Sequence, residues 1–393
     1  MRRCFTLFAV LGALAGGCAP FHTPPGPPIA PPRLADSHLI MADGARLPLR
    51  RWGPQSPAAA TAGRPRAVVL ALHGFNDYSK AFDGPARAFA KTGIATYAYD
   101  QRGFGEAPNR GAWPGVAGMT GDLRAAAQLL RAAHPETPFY ILGESMGAAV
   151  VMAALAERPH SGSDSPAAGP PLAADGYILS APAIWARRVM PAWQRIGLEV
   201  VAHTIPLFHV TGQGFNRTPS DNIDMLRALG RDPLVIKHTR IDTLYGLVDL
   251  MDAALDAAPR LAAARHDSAG HNGEGRTLIL LGQKEDILPS AAMQALLGAL
   301  PSGCGVQVAR YRAGYHMLLR DLKADVVLAD LAAWMARPGR ALPSGADREE
   351  GSGEDTDRPV AAAAQNRDLA GAEGSGVRTQ LALSCAPPIA ARP

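Results

Sequence analysis

The stretch Phe139-Tyr140-Ile141-Leu142-Gly143-Glu144-Ser145-Met146-Gly147-Ala148-Ala149-Val150 decides how the rest of this chain is read. Phe139 to Leu142 is a short apolar run of strand formers, and Ala148 to Ala156 is an Ala/Val/Met/Leu run suited to a helix packed on its neighbours. Between them, Gly143-Glu144-Ser145-Met146-Gly147 fits G-x-S-x-G. A strand that passes into a helix within two residues turns sharply, which puts Ser145 at the apex in a strained backbone conformation. A side chain at 143 or 147 would collide with the adjoining helix or strand, so glycine is needed at both. The turn therefore predicts a hydroxyl pushed outward beside a helix N-terminus, whose free N–H groups can stabilise an oxyanion. The bland alternative, a surface Gly-Ser turn, leaves the two apolar flanks unexplained.

Working outward, strands and helices alternate. His38–Met41 and Leu47–Trp52 flank Ala42-Asp43-Gly44 as an opening β-hairpin. Strands follow at 67–72, 94–99, 139–142 and 176–179, with helices around 81–92 and 121–134. The alternation resumes with a strand at 277–281, a helix at 290–300, a strand at 305–311 and a helix at 318–335. This order predicts an α/β fold with a mostly parallel sheet covered by helices on both faces. Between Ser180 and about Arg276 the alternation lapses into helically spaced apolar residues, which predicts a helical cap at about 182–275, inserted after the sixth strand and lying over the strand ends.

A serine hydroxyl is a poor nucleophile until a base takes its proton, and that base needs an acid to hold its tautomer. The strand at 277–281 runs into Gly282-Gln283-Lys284-Glu285-Asp286-Ile287-Leu288-Pro289, and the next strand leads to Gly314-Tyr315-His316. His316 is the only one of eleven histidines beyond Asp286, and it is the expected base. Asp286 is the expected acid; the alternative makes Asp286 a helix cap before Pro289 and Glu285 the acid. His73, at a strand end before Gly74, is assigned a structural role. The order Ser145, Asp286, His316 is that of α/β-hydrolases, and sites in open α/β sheets lie outside the strand C-termini. Backbone N–H groups of Phe75 and Met146 are the expected oxyanion hole. Trp185, Met190, Trp193 and Ile196 are candidates for an acyl pocket, although helix-core packing explains their spacing equally well. Neither metal-ligand spacing nor a phosphate-binding glycine loop is present, so no metal and no cofactor is expected.

His73-Gly74-Phe75-Asn76-Asp77-Tyr78-Ser79, Tyr99-Asp100-Gln101-Arg102-Gly103-Phe104-Gly105, Gly143–Gly147 and Gly314-Tyr315-His316 together resemble the monoacylglycerol lipase/lysophospholipase group of α/β-hydrolases, a serine aminopeptidase S33-type hydrolase domain. Pro219-Ser220-Asp221-Asn222 through Asp232-Pro233-Leu234 is similar to the cap of bacterial members. The resemblance covers about residues 36–337. It implies a serine hydrolase acting on carboxylic esters of acylglycerols or lysophospholipids. The commonest nucleophile motif of that group has His where this chain has Glu144. A peptidase or acyltransferase on the same fold, and a non-catalytic lipid-binding envelope protein, are the competing expectations.

The 393 residues are 47% apolar and 19% charged, which is globular, and the formal charge of +4 is not gathered into a basic stripe. Nucleic-acid binding is therefore not expected. Met1-Arg2-Arg3 followed by Phe5 to Ala15 reads as a secretory signal too short to span a bilayer. It ends in Leu14-Ala15-Gly16-Gly17-Cys18, which resembles a bacterial lipoprotein signal with its leucine one place early. Residues 1–18 are thus expected to be a leader, Cys18 the lipidated residue, and the cell envelope the location, with the protein anchored at a membrane surface. The proline-dense residues 19–35 are expected to form an extended tether. Four cysteines occur in all, and a disulfide between Cys304 and Cys385 is disfavoured. Segments 160–171 and 266–275 read as disordered insertions, and 338–393 as a disordered tail.

Overall fold

The computed structural model describes residues 19–54, 64–156, 172, 174–212, 217–263, 277–301 and 305–348. The leader with Cys18, both expected insertions, Cys304, Cys385 and the chain beyond 348 lie outside these residues.

Among the described residues six strands run parallel: β4 (Ala67–Leu72), β5 (Ile94–Tyr99), β6 (Phe139–Glu144), β7 (Gly176–Ser180), β10 (Thr277–Gly282) and β11 (Val306–Tyr311). An antiparallel edge precedes them, made of β1 (Arg33–Leu34), β2 (His38–Ile40) and β3 (Arg46–Trp52), and the sheet order is β1-β2-β3-β5-β4-β6-β7-β10-β11. The inner parallel strands are largely apolar on both faces because both are covered, whereas the edge strand β11 exposes Arg310. In β4, Val68, Leu70 and Leu72 enter one core while Val69 and Ala71 enter the other.

On the first face lie α2 (Val116–Ala133), α3 (Met146–Ala156) and α6 (Ile241–Ala257); on the second lie α1 (Asp83–Lys91) and α8 (Ala324–Ala336). Helix α3 is apolar all round, and all of it but Ala156 is buried. A helix of that composition is stable only inside the protein. Its small residues let α6 pack closely along it. Gly246 of α6 meets the Trp113 ring where any Cβ would overlap it.

The structure corrects four expectations. The expected cap extends to 275, yet Leu250, Ala254, Leu255 and Ala257 of α6 are fully buried against the body. The material over the strand ends is therefore α4 (Ala192–Thr204), α5 (Ile223–Arg231) and the two-stranded sheet of β8 (His209–Val210) and β9 (Thr239–Arg240). The proline-rich segment is not a free tether: Thr23 N donates to Trp113 O (2.7 Å), and Ile29 N to Ala42 O (2.7 Å). Gly26 N donates to Asp43 Oδ2 (3.1 Å). Prolines carry no N–H, but the residues between them supply donors that dock the segment on the domain. The tail begins later than 338, because Leu342 is buried, Arg310 N donates to Ala346 O (2.7 Å), and Ser344 Oγ bonds Asp330. Finally, the last helix starts at Ala324 rather than Leu318, since residues 315–321 form a turn fastened by Asp321 to Tyr315 N (2.8 Å). The remaining helix, α7 (Ser290–Ala299), connects β10 to β11.

Candidate active site

Ser145 sits between β6 and α3 with φ +53°, a left-handed conformation for a residue with a side chain. Such strain costs about 1–3 kcal/mol and persists only where its surroundings enforce it. Here Ser145 N donates to Ser180 O (2.9 Å), and Ser145 O accepts from Ala149 N and Ala183 N (both 3.1 Å). A Cβ on Gly143 would overlap the Ala148 backbone, and one on Gly147 would overlap the Leu72 carbonyl. Both glycines of the motif are thus fixed by close backbone approach, as the sequence pattern predicts.

His316 follows β11 and is nearly buried. Its Nε2 lies 2.9 Å from Ser145 Oγ, and its Nδ1 lies 2.6 Å from Glu285 Oε2. For Nε2 to accept the serine proton, Nδ1 must carry hydrogen and donate it to the carboxylate. The expected acid is corrected: Glu285 holds His316, and Asp286 does not touch it. Both Asp286 oxygens instead accept the Thr218 N–H (3.0 Å each), and its carbonyl accepts from Arg217 Nη1 (2.6 Å). The loops after β10 and β11 are laced together through Gln283 N to Tyr311 O (3.0 Å) and Lys284 N to Gly314 O (2.9 Å). That lacing points residue 285 inward at the imidazole and residue 286 outward at the cap, and the extra methylene of glutamate supplies the reach.

Burial would raise the Glu285 pKa, but the His316 hydrogen bond and charge, with the Leu288 and Ile287 N–H groups, outweigh it and hold the carboxyl below its ordinary value. Those N–H donors stand 3.1 and 2.7 Å from Oε1. A carboxylate so held stays ionised and keeps the imidazole in one tautomer.

Met146 opens α3, so its N–H belongs to the first turn that lacks an intrahelical acceptor. Phe75 lies in the turn closed by Asp77 N to Gly74 O (3.3 Å), with Asn76 at φ +64°, and its ring meets Phe104 edge-on at 5.7 Å. This turn passes beside the nucleophile: a Cβ at Gly74 would lie 3.5 Å from the Ser145 Cβ.

His73 is fully buried and bridges loops: Nδ1 bonds the Gly74 carbonyl (2.8 Å), and Nε2 accepts from Gln101 N (3.0 Å). Burial pushes its pKa down, against the pull of the Gly74 carbonyl and of Asp100, Asp77 and Glu144. Arg102 is buried between Asp43 (2.7 Å) and Asp122 (2.9 Å), so the Asp100–Gly103 stretch ties loops together. Of the pocket candidates, Trp185 is half-buried against the core, whereas Trp193 (72%) and Ile196 (60%) face solvent. Met190 is intermediate. These four do not form one enclosed lining. Sequence reasoning missed Arg320, whose guanidinium meets Asp77 and Glu144; no spacing rule marks an arginine four residues past a loop histidine.

A serine on a strained strand-to-helix turn, an imidazole and a buried carboxylate, all carried at the C-terminal ends of parallel strands, define an α/β-hydrolase. Residues 63–323 match the Hydrolase_4 family (serine aminopeptidase, S33), and the chain belongs to that family. The monoglyceride lipase of Rattus norvegicus is 25% identical over 308 residues, 76% of this chain and 89% of the relative. The monoacylglycerol lipase of Mycolicibacterium smegmatis is 24% identical over 296 residues, 74% and 93% of the two chains. In solved structures the fold is matched by the monoglyceride lipase of Saccharomyces cerevisiae (TM-score 0.56, 18% identity, 81% of this chain and 98% of that one). The monoacylglycerol lipase of Paleococcus ferrophilus is also similar (TM-score 0.53, 18% identity, 74% and 98%).

Proposed function

We propose that the protein is a carboxylic ester hydrolase that cleaves lipid esters, monoacylglycerols or lysophospholipids, through an acyl-serine intermediate. The observation that carries the reading is the unbroken line from Ser145 Oγ through His316 to Glu285, and the monoacylglycerol lipase relatives support the substrate class. Ser145 Oγ attacks the ester carbonyl while His316 Nε2 takes its proton. The oxyanion is held by the N–H groups of Phe75 and Met146. His316 then protonates the departing alcohol, and the acyl-serine is cleaved by a water that His316 deprotonates. The family description raises the aminopeptidase reading, but an aminopeptidase needs a free carboxylate near the nucleophile for the substrate ammonium. Glu144, the carboxylate beside Ser145, is buried and paired to Arg320.

The membrane side of the reading rests on the leader-like residues 1–18 and on the exposed apolar side chains Trp193, Ile196, Val200, Leu207 and Phe208 around α4. A monomeric domain rarely leaves such a group in water, and it suits the surface of a lipid phase. In this reading the protein is an exported bacterial envelope lipoprotein anchored through Cys18. Among the described residues no helix is long and apolar enough to cross a membrane.

The test is labelling with a fluorophosphonate probe, followed by turnover of p-nitrophenyl esters, monoacylglycerols, lysophospholipids and aminoacyl amides. Labelling with turnover of the lipid esters is the expected result; activity on amides alone overturns it. Intact mass of the mature chain checks the anchor, which a start beyond Cys18 without acyl mass excludes.

A further inference from the structure

We infer that Arg320 is a positioning residue that locks the nucleophile turn, the oxyanion turn and the histidine loop into one rigid unit, a role resting on the serine hydrolase reading above. Its guanidinium reaches Asp77 Oδ2 with Nη1 (2.8 Å) and Glu144 Oε1 with Nη2 (3.0 Å). Each partner sits at a decisive place. Glu144 is the residue before Ser145, at the end of β6. Asp77 closes the turn that holds Phe75, and its Oδ1 also accepts the Tyr78 N–H (2.9 Å). Arg320 itself ends the turn that carries His316, through Arg320 N to Met317 O (2.8 Å). A planar fork with fixed donor directions sets the separation of two carboxylates in a way that a single ammonium cannot.

Stability alone does not account for this cluster. All three side chains are at least nine-tenths buried. Glu144 Oε2 and Arg320 Nε have no hydrogen-bond partner, and burying two carboxylates with one guanidinium leaves a net negative charge. Buried ion clusters of this kind contribute little to stability against an apolar replacement, whereas removing one member is costly. What the arrangement supplies is register: the nucleophile, the Phe75 N–H and the imidazole each hang from a backbone that Arg320 or one of its two partners anchors within one to four residues. The guanidinium also offsets the Glu144 charge next to the site where an oxyanion develops.

The test uses Arg320→Lys, which keeps the charge but loses the fork, and Glu144→Gln, which keeps the shape and lowers the charge. For each, the rate of Ser145 labelling by a fluorophosphonate and the kcat and KM on a soluble p-nitrophenyl ester are measured per reactive serine. Counting reactive sites removes any unfolded fraction from the comparison. The expected result is that labelling rate and kcat both fall about tenfold or more in Arg320→Lys, with KM within about twofold of wild type. Glu144→Gln is expected to lose less, because the Asp77 contact remains. Wild-type labelling rate and kcat per reactive serine in both variants would overturn the proposal. A wild type that labels but does not turn over esters would sink the substrate reading alone, since the labelling rate still reports the lock. Should Arg320→Lys fail to fold, Glu144→Ala decides, because it removes the oxygen that Arg320 Nη2 binds: an unchanged labelling rate rejects the role.

Discussion

Glu285 Oε2 lies 2.6 Å from His316 Nδ1, while the adjacent Asp286 turns its carboxylate away onto the Thr218 N–H. Two neighbouring acids thus divide two tasks, one orienting the base and one fastening the cap. Glu285→Gln is expected to lower kcat by about a thousandfold, because the amide cannot hold the imidazole in the right tautomer. Asp286→Asn should stay within about threefold of wild type and lose about 1 kcal/mol of stability or less. Kinetics on a soluble ester separates the two; the reverse ranking would make Asp286 the acid.

Glu285 also sets a pH dependence. Its folded pKa lies below the ordinary 4.5, so between those values the unfolded chain binds more protons and stability falls with falling pH. The contribution is complete above 4.5 and disappears as pH drops through the folded value. Thermal melts of wild type and Glu285→Gln are therefore expected to differ most above pH 4.5 and to converge in acid. A gap that widens below that pH would contradict the assignment.

The strained φ of Ser145 makes an opposite-signed prediction for two inactive variants. Ser145→Ala and Ser145→Gly both lose the nucleophile and should fail to label. Glycine tolerates a left-handed backbone and alanine does not, so Ser145→Gly is expected to be the more stable by about 1 kcal/mol. Denaturant melts of the pair would show it, and equal midpoints would mean the turn is not strained.

Gly147 offers no room for a side chain beside the Leu72 carbonyl. Gly147→Ala is expected to cost about 3 kcal/mol, because backbone rather than a mobile side chain must yield. A melting temperature equal to wild type would refute the close approach.

Leu207 and Phe208 are about 60% exposed. Replacing both by serine is expected to weaken sedimentation with lipid vesicles about tenfold or more, with soluble-ester turnover retained. Unchanged vesicle binding would remove this surface from the account.

The parallel sheet was legible because its inner strands are largely apolar runs, and β4, β6, β10 and β11 each lead into a loop that carries a site residue. Ser145 and His316 were legible for the same reason. The choice between Glu285 and Asp286 was not, since adjacent residues in one loop differ only in the direction the backbone turns them. That direction comes from bonds to Tyr311, the last residue of the neighbouring strand, and to Gly314 in the loop after it. The end of the cap was misplaced because α6 has the apolar spacing of any helix, and only contact with α3 shows that it belongs to the body. Arg320 was invisible because its meaning depends on Asp77 and Glu144, more than 170 residues away along the chain.

The cap is fastened very unevenly. Thr218, Pro219, Ser220 and Asn222 are stitched in turn to Asp286, Met317, Asp321 and Arg320, and Asp232 is held by Tyr78. Helix α4 has no comparable anchorage to the strand-end loops; its Glu199 reaches only Arg187 and Tyr245 among the described polar partners on other elements. A hinged lid lifting as one plate would therefore pull directly on the acid's loop and on the turn beneath the imidazole, dismantling the relay each time it opened. Displacing α4 alone would leave those loops at rest.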